Sequence, residues 1–296
     1  MRSPGFEPGL SAWEADVATS ADKTHSLSVN WIQNRSEFLE YLQFKRYSVR
    51  YAQDILSYLD KNVTELSKPM DIIRIFAKLS QGQQHHLNRA MRALLNFAEI
   101  KGVNASYLNA LRKAIPQDIV GVDLRVPVEG EILESLRRLN RMPLKYQALY
   151  SLLLDSGLRL TEAVRLINQF EDATEIKGFY RCTLGYFRGL KVAYAAYFTR
   201  FTFELIRKNR EKVDDRNAAH YFCKFRYVAP KYLRKFVFDT MISEGFSIPE
   251  SVADFIEGRV PQKIGARHYT QLLRQADGFY GKYASYLSRL RESISP

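Results

Sequence analysis

Two stretches of helical hydrophobic periodicity, separated by a segment rich in proline and glycine, constrain the fold of this chain most. From residue 31 to about residue 114, apolar side chains recur at three- and four-residue intervals, as at Phe38, Leu42 and Leu59. The segment 115–130 contains two prolines and two glycines and loses this periodicity. A chain of 296 residues is long enough for two domains. We therefore predict a helical domain over residues 30–114, a linker over residues 115–130 and a second domain over residues 131–296.

The second half of the chain combines helical patterns with one stretch typical of β-structure. The runs EILESLRRLNR and LKYQALYSLLLDSG have the periodicity of amphipathic helices, and PESVADFIEG is a short helix that ends at Gly258. The run GFYRCTLGYFRGLKVAYAAYFT is rich in aromatic and β-branched residues and is divided at Arg188-Gly189, which predicts a β-hairpin. A last helix is expected from near Gly265 to about Arg291. The predicted fold is mainly α with a small antiparallel β-sheet.

Positive charge is spread along the whole chain. The formal net charge is +12, the isoelectric point is about 9.6, and the lysines and arginines are not gathered in a tail. This charge favours a polyanionic partner, with nucleic acid ahead of a membrane surface, although a merely basic soluble protein is the alternative. No apolar run approaches the roughly 20 residues that span a bilayer. We expect a soluble protein of the cytoplasm.

The cysteines and the N-terminal segment carry weaker signals. Cys182 and Cys223 lack the short spacings of a zinc site and are interpreted as core thiols rather than a disulfide. Residues 1–29 have weak periodicity and several prolines and glycines, which indicates a flexible extension. Within it, the codons for Gly5-Phe6-Glu7-Pro8 can contain the usual T-arm sequence of a tRNA gene. The start of this gene is therefore a candidate overlap with a tRNA gene.

The second half of the chain contains the motifs SGLRLTE (156–162), KYLR (231–234) and GR (258–259), and then Tyr269. In this order and at these separations they resemble the active-site boxes of the tyrosine recombinases. The segment Ser156-Gly157-Leu158-Arg159-Leu160-Thr161-Glu162 matches the family's T/S-G-x-R-x-x-E box at a helix start. Lys231-Tyr232-Leu233-Arg234 stands where most members have His-x-x-Arg, and Gly258-Arg259 stands where they have Gly followed by His or Trp. Tyr269 follows, with one residue more than usual in between. The chain is most similar to integrases of archaeal viruses and plasmids, of the fusellovirus type, which share the lysine.

The resemblance implies a two-domain architecture, with a helical core-type DNA-binding domain and a catalytic domain, and it implies roles for the cations. Attack on a phosphodiester builds negative charge on two oxygens, which Arg159 and Arg234 would clamp with their planar guanidinium groups. Arg259 would bind a nonbridging oxygen but cannot shuttle protons, since arginine stays charged. A phosphate contact is favoured for Lys231, because a lysine acts as a base only when it is neutral.

The resemblance also implies a general acid and a nucleophile. In the family, a lysine on the β-hairpin protonates the departing 5′ oxygen, and Lys191 occupies the matching place, with Lys177 as its rival. The number of residues from Arg234 to Tyr269 is closer to the family's usual interval than the number from Arg234 to Tyr280. Tyr269 is therefore predicted to be the nucleophile. Three later tyrosines recur at three-residue steps as a packing face would, namely Tyr280, Tyr283 and Tyr286. His268 is interpreted as structural.

These roles imply a site-specific recombinase that forms a 3′-phosphotyrosyl intermediate at Tyr269 and frees a 5′ hydroxyl. The energy of the broken bond is kept in that ester, so no cofactor, ATP or metal is expected. By resemblance, four protomers would act on double-stranded DNA in an archaeal-type cell and integrate or excise a mobile element. Two other functions stay open at this point. One is relaxation of DNA by a type IB topoisomerase activity, and the other is DNA binding without catalysis.

Overall fold

The chain folds into two compact units. The computed structural model describes residues 28–118, 121–188, 191–259 and 271–294. The division between the units falls after Val122, and each unit has its own hydrophobic core. The nearest helices on either side of the division end at Ala114 and begin at Glu129. Of the predicted N-terminal extension, residues 1–27, which include Gly5-Phe6-Glu7-Pro8, lie outside the described residues.

The described part of the first unit is helical, as predicted, apart from one pair of short strands. The elements in chain order are β1 (Val29–Asn30), α1 (Trp31–Phe44), α2 (Val49–Asn62), β2 (Glu65–Leu66), α3 (Pro69–Phe76), α4 (Gln81–Ile100) and α5 (Ala105–Ala114). The strands pair antiparallel, with Val29 opposite Leu66 and both residues buried. The sequence patterns did not predict this pair, because two residues are too few to show alternation.

The helices of the first unit bury the apolar positions that the periodicity selects. Phe38, Leu42 and Leu59 are fully buried in one core. Gly102 ends α4 at a φ of +85°, a backbone conformation that glycine adopts without steric strain. The helix therefore stops just before this glycine.

The second unit surrounds one buried helix. Its elements are α6 (Glu129–Arg137), a short 3-10 helix (Leu139–Arg141), α7 (Leu144–Ser156), α8 (Leu160–Asn168), β3 (Thr174–Ile176), β4 (Phe179–Arg188), β5 (Lys191–Thr199), α9 (Arg200–Lys208), α10 (Asp215–Lys224), α11 (Pro230–Ile242), α12 (Glu250–Ile256) and α13 (Leu272–Glu292). The prediction of an amphipathic α7 is wrong. All its residues from Ala148 to Ser156 are buried, because α8, α9, α11 and β5 pack around it.

The predicted β-hairpin is present within an antiparallel sheet of order β3-β4-β5. β4 and β5 pair from Phe179 opposite Thr199 to Arg188 opposite Lys191, with one irregularity between Thr183 and Tyr186. β3 extends the hairpin by a strand that the sequence pattern did not predict. β5 packs against α7, α12 and α13, and the first motif begins at the end of α7 while the third follows α12.

The last helix begins later than predicted and is anchored in the core of the second unit. α13 begins at Leu272 rather than near Gly265, and residues 260–270 lie outside the described residues. The Tyr280 hydroxyl donates to the carbonyl oxygen of Asp155 at 3.0 Å, and the Tyr283 hydroxyl donates to that of Leu154 at 2.9 Å. Both tyrosines are fully buried, as expected of a packing face.

The interpretation of both cysteines as core thiols is wrong for Cys223. Both thiols are free, Cys182 is partly buried and Cys223 is exposed. α10 buries Ala218 and Phe222, and the residue directly after Phe222 lies about 100° further around the helix, away from the core. Burial raises the pKa of Cys182, and Asp172 and Glu171 raise it further. Among the described helices, none is both long enough and apolar enough to cross a bilayer.

Candidate active site

The first motif forms the turn between α7 and α8. Gly157 ends α7 at a φ of +62°, a conformation that a side chain strains. Arg159 then occupies the N-cap of α8, where its backbone N–H donates to Glu162 Oε2 at 3.0 Å. Its side chain Nη1 donates to Glu162 Oε1 at 2.7 Å. The glycine thus makes the turn between the helices, and the glutamate fixes the arginine at both its backbone and its side chain.

Arg159 also ties the first motif to the third. Its Nη1 donates to the carbonyl oxygen of Gly258 at 2.8 Å. Gly258 lies beyond the end of α12 at a φ of +73°, and a Cβ at this position would lie 2.9 Å from the Cβ of Ala193 in β5. Only a glycine lets the chain approach the strand this closely. The carbonyl that accepts from Arg159 is therefore held in place by the sheet.

Arg234 joins the second motif to the other two from the middle of α11. Its Nη1 donates to the carbonyl oxygens of Gly157 at 2.7 Å and Glu257 at 2.6 Å. The side chain is only 12% exposed. Burial lowers the pKa of Arg234 to about 10, with Glu257 opposing the shift. Its Nη2 is buried and has no hydrogen-bond partner among the described residues. This nitrogen therefore keeps a hydrogen-bond donor that no described residue uses.

A buried carboxylate, Glu257, lies at the centre of the arginines and was missed by the sequence analysis. Its Oε2 lies 3.0 Å from Arg259 Nη2 and 3.6 Å from Arg234 Nε. Neither carboxylate oxygen accepts an aligned hydrogen bond among the described residues. Burial raises the pKa of Glu257 to about 7, although Arg234 and Arg259 oppose the shift. The available signal was an acidic residue directly before the Gly258-Arg259 pair.

Arg259 completes the group of three arginines. Its Nη1 lies 3.5 Å from Asp254 Oδ1, and its guanidinium carbon lies 4.9 Å from the centre of the Phe238 ring. Burial raises the pKa of Asp254, with Arg259 opposing the shift. The side chain of Arg259 is more exposed than those of Arg159 and Arg234. The structure thus brings together three predicted residues from distant parts of the chain, and we call Arg159, Arg234 and Arg259 the arginine cluster.

Lys231 is not part of this cluster in the structure. It lies one helical turn before Arg234, but its side chain is 65% exposed and its Nζ lies 2.5 Å from Asp123 Oδ2. The ion pair with Asp123 raises the pKa of Lys231, and the pKa of Asp123 falls to about 2. Lys235 pairs with the same carboxylate at 3.3 Å. Lys231 therefore faces residue 123 rather than the buried carboxylate.

The three remaining candidates differ in how far the structure describes them. It describes Lys177 fully, Lys191 only in its backbone, and Tyr269 not at all. Lys191 begins β5, and its side chain lies outside the described part of the structure. Lys177 is exposed in the turn between β3 and β4, at a φ of +49°. That turn lies at the end of β4 opposite to Lys191, because Lys191 pairs with the last residue of β4. Tyr269 and His268 lie outside the described residues.

The arrangement can hold one tetrahedral oxyanion against fixed donors. Three guanidinium groups converge, and at least one of their nitrogens has no partner within the described residues. Their charges are matched by three nearby carboxylates, Glu162, Asp254 and Glu257. Guanidinium groups bind phosphate oxygens in a planar, two-point geometry. The site is therefore suited to stabilise charge on a phosphate rather than to hold an apolar ligand.

Solved integrase structures share the fold of the chain at low sequence identity. A lambda integrase tetramer bound to a Holliday junction aligns with a TM-score of 0.60 and 11% identity, over 86% of this chain and 87% of that one. A lambda integrase dimer bound to a COC′ core site aligns with a TM-score of 0.58 and 10% identity, over 88% of this chain and 85% of that one. No curated protein gives a significant match by sequence.

The sequence itself matches a family model. The model describes the archaeal phage integrases, and it matches residues 124–286, which is more than half of the chain. The matched residues include the three motifs, the arginine cluster and Tyr269. From this match, the chain belongs to the archaeal phage integrase family, within the tyrosine recombinases.

Proposed function

We propose that this protein breaks and rejoins DNA strands as a site-specific recombinase. The single observation that carries the proposal is the convergence of Arg159, Arg234 and Arg259 on one site from three separate segments. In the proposed reaction, the Tyr269 hydroxyl releases its proton to solvent and attacks a backbone phosphate, a 3′-phosphotyrosyl ester forms, and the bond to the 5′ oxygen breaks as that oxygen takes up a proton. The reverse attack by a 5′ hydroxyl rejoins the strand. The phosphate bond is exchanged rather than lost, so the balance needs no external energy.

The arginine cluster would stabilise the charge that develops on the phosphate. Arg234 is held by two backbone carbonyls through Nη1, and its Nη2 is left for an oxygen of the substrate. Arg159 is fixed by Glu162 and by the carbonyl of Gly258. Donors that are held in place before the reaction need no rearrangement when charge appears on the substrate, and removal of one such donor typically lowers a rate by about 100- to 1,000-fold.

Burial of the competing tyrosines supports Tyr269 as the nucleophile. Tyr280 and Tyr283 are fully buried, their hydroxyls donate to backbone carbonyls, and burial raises the pKa of both well above the usual value. Tyr286 donates to Glu129 at 2.8 Å, and burial together with this carboxylate raises its pKa as well. A buried phenol with a raised pKa is a poor nucleophile.

Two lysines complete the proposal. Lys191, the first residue of β5 and the partner of the last residue of β4, would donate the proton to the departing 5′ oxygen. Lys177 is the less suitable candidate, because it lies at the other end of β4. Lys231 would contact a flanking phosphate, since its side chain is exposed one turn before Arg234 and its ion pair with Asp123 is accessible to exchange. The role of Lys191 is thus proton transfer, and that of Lys231 is a charge contact with the DNA backbone.

The biological role we propose is integration or excision of a mobile element by a tetramer on double-stranded DNA. The fold neighbours are lambda integrases bound to DNA, one of them as a tetramer on a Holliday junction. The net charge of +12 suits a DNA partner. The codons of Gly5-Phe6-Glu7-Pro8 would place the attachment site at a tRNA gene. The protein would act in the cytoplasm of an archaeal-type cell.

A nicked suicide duplex tests the proposed reaction. The duplex carries the DNA that encodes Gly5-Phe6-Glu7-Pro8 together with its natural flanks, and a nick beside the cut site lets the short leaving strand diffuse away. We expect a covalent adduct that resists denaturation in the wild type and is absent from the Tyr269→Phe variant. Absence of any adduct on this duplex and on a library of duplexes of random sequence would contradict the enzymatic proposal and leave DNA binding alone.

A second assay separates recombination from simple relaxation. Two duplexes of different length and label are mixed with the protein, and we expect a product that joins a strand of one to a strand of the other. A type IB topoisomerase activity would relax a supercoiled plasmid but give no joined product. The variant Glu244→Gln changes an exposed carboxylate of the same unit outside the cluster and serves as the control for handling and folding.

A further inference from the structure

The reaction proposed above assigns no role to the buried carboxylate of Glu257. Its position among the arginines indicates a role for it. We infer that Glu257 is a positioning residue that holds Arg234 and Arg259 as a counter-anion in the DNA-free protein and takes up a proton when a phosphate replaces it. The inference rests on the proposed function, because it requires the arginine cluster to bind a phosphate. It adds a prediction that the function alone does not make, namely that binding consumes a proton.

Packing prevents Glu257 from moving away when an anion arrives. The side chain is completely buried. A Cβ built on Gly157 would lie 2.7 Å from Glu257 Oε1 and 2.9 Å from its Cγ, so the carboxylate presses against the backbone of the α7–α8 turn. Well-packed interiors lack room for a second position of a side chain. The carboxylate must therefore change its charge rather than its place.

The surroundings of Glu257 make this change of charge accessible near neutral pH. Burial raises the pKa of Glu257 to about 7 even with two arginines opposing the shift. Among the residues that the structure describes, charged and titratable groups lie near it on four segments, namely Arg159 and Glu162 at the start of α8, Arg234 in α11, Asp254 and Arg259 in its own segment, and Tyr283 in α13. A phosphate in the cluster adds negative charge beside the carboxylate. It therefore favours the neutral acid still more.

The proton balance of the step is simple. The ionised carboxyl takes one proton from solvent, and no bond to the substrate forms or breaks. The two arginines then keep their positive charges, with the substrate oxygens as their counter-ions in place of Glu257. Release of the phosphate reverses the step and returns the proton to solvent. In the absence of DNA, the same carboxylate adds to Glu162 and Asp254 in offsetting the mutual repulsion of the guanidinium groups.

Sulfate binding to the intact protein tests this inference. Sulfate is a tetrahedral oxyanion that does not titrate near neutral pH, so any proton taken up belongs to the protein. Calorimetric titration in two buffers of different ionisation enthalpy, at constant ionic strength, counts the protons. With the pKa of Glu257 near 7, we expect about half a proton per sulfate at pH 7 and a Kd that weakens about tenfold from pH 6 to pH 8.

The variant Glu257→Gln keeps the shape of the side chain and removes its charge. We expect it to bind sulfate without proton uptake, with a Kd that is the same at pH 6 and pH 8. The control variant Glu244→Gln, in an exposed carboxylate of the same unit, should behave as the wild type does. Equal proton uptake in the wild type and in Glu257→Gln would overturn the inference. A Kd of the wild type that does not change with pH would also overturn it, and this measurement does not depend on the folding of a variant.

The test also distinguishes this inference from the proposed function. Arg234→Ala should abolish the sulfate site in the second unit. If sulfate binds as well to Arg234→Ala as to the wild type, the arginine cluster is not an oxyanion site and both proposals fail. If sulfate binding depends on Arg234 but takes up no proton, the cluster keeps its proposed function and only the role of Glu257 is refuted.

Discussion

Asp155 is predicted to be the most stabilising buried charge of the second unit, and Asp155→Ala is the perturbation that tests it. The carboxylate is fully buried and pairs with Arg291, whose side chain is only 11% exposed. It also accepts from the backbone N–H of Thr199 at 2.8 Å and from the Thr199 hydroxyl at 2.7 Å. These contacts attach α13, the helix after Tyr269, to α7 and to the start of α9.

The expected loss of unfolding free energy in Asp155→Ala follows from the burial of its ion pair with Arg291. Removal of one partner of a buried ion pair leaves an uncompensated charge and typically costs about 3–5 kcal/mol. If the free energy of unfolding falls by about 2 kcal/mol for each molar of urea, the urea concentration at the unfolding midpoint should fall by roughly 2 M. The matched control is Glu134→Ala. Glu134 is 59% exposed and pairs with Arg137 at 3.7 Å and Arg138 at 3.3 Å, so its loss should cost less than about 0.5 kcal/mol.

The assay must report on the second unit. Both tryptophans, Trp13 and Trp31, precede it, so their fluorescence is a poor probe. Far-ultraviolet circular dichroism in urea, with hydrogen exchange of peptides from residues 144–156 and 272–292, measures the relevant transition. We expect faster exchange in both peptides of Asp155→Ala. A midpoint within experimental error of the Glu134→Ala control would refute the assignment of this ion pair as a structural anchor.

Three further perturbations have defined outcomes. Gly157→Ala should lower the free energy of unfolding, measured by urea titration, by about 2–4 kcal/mol, because the new methyl group strains the backbone and meets Glu257. Gly82→Ala is the control and should not lower it, because no other atoms lie near that position. Arg234→Lys should slow adduct formation about 100-fold or more in protein that circular dichroism shows to be folded, because lysine lacks the planar pair of donors. The carboxyl of Glu257 binds its proton more tightly in the folded protein than in the unfolded chain. The free energy of unfolding should therefore fall by up to about 3 kcal/mol as the pH rises from about 4.5 to 7. The Glu257→Gln variant should lack this fall.

Patterns that are local in sequence predicted most of the fold. The hairpin followed from a run of β-branched and aromatic residues divided by Arg188-Gly189, and the helix ends at Gly102 and Gly258 followed from the conformational freedom of glycine. The two-residue strands at Val29 and Glu65 carry too short a pattern to be detected. The burial of α7 on all sides depends on which elements surround it, and its own sequence does not contain that information.

The arginines of the site were accessible to sequence reasoning, but their common partner was not. Arg159, Arg234 and Arg259 each lie in a short motif, so their types and spacing identify them. Glu257 matters because it is buried among guanidinium groups from three segments, which only tertiary structure reveals. The same holds for the pairing of Lys231 with Asp123, where an exposed side chain is directed by a neighbour more than 100 residues away.

Mapping the attachment point of DNA on the protein tests the central claim most directly. The adduct formed on the nicked duplex is digested with nuclease and protease, and mass spectrometry identifies the tyrosine that carries the nucleotide. We predict the phosphate ester on Tyr269. An ester on one of the buried tyrosines, Tyr280 or Tyr283, or on Tyr286, would contradict the assignment of the nucleophile.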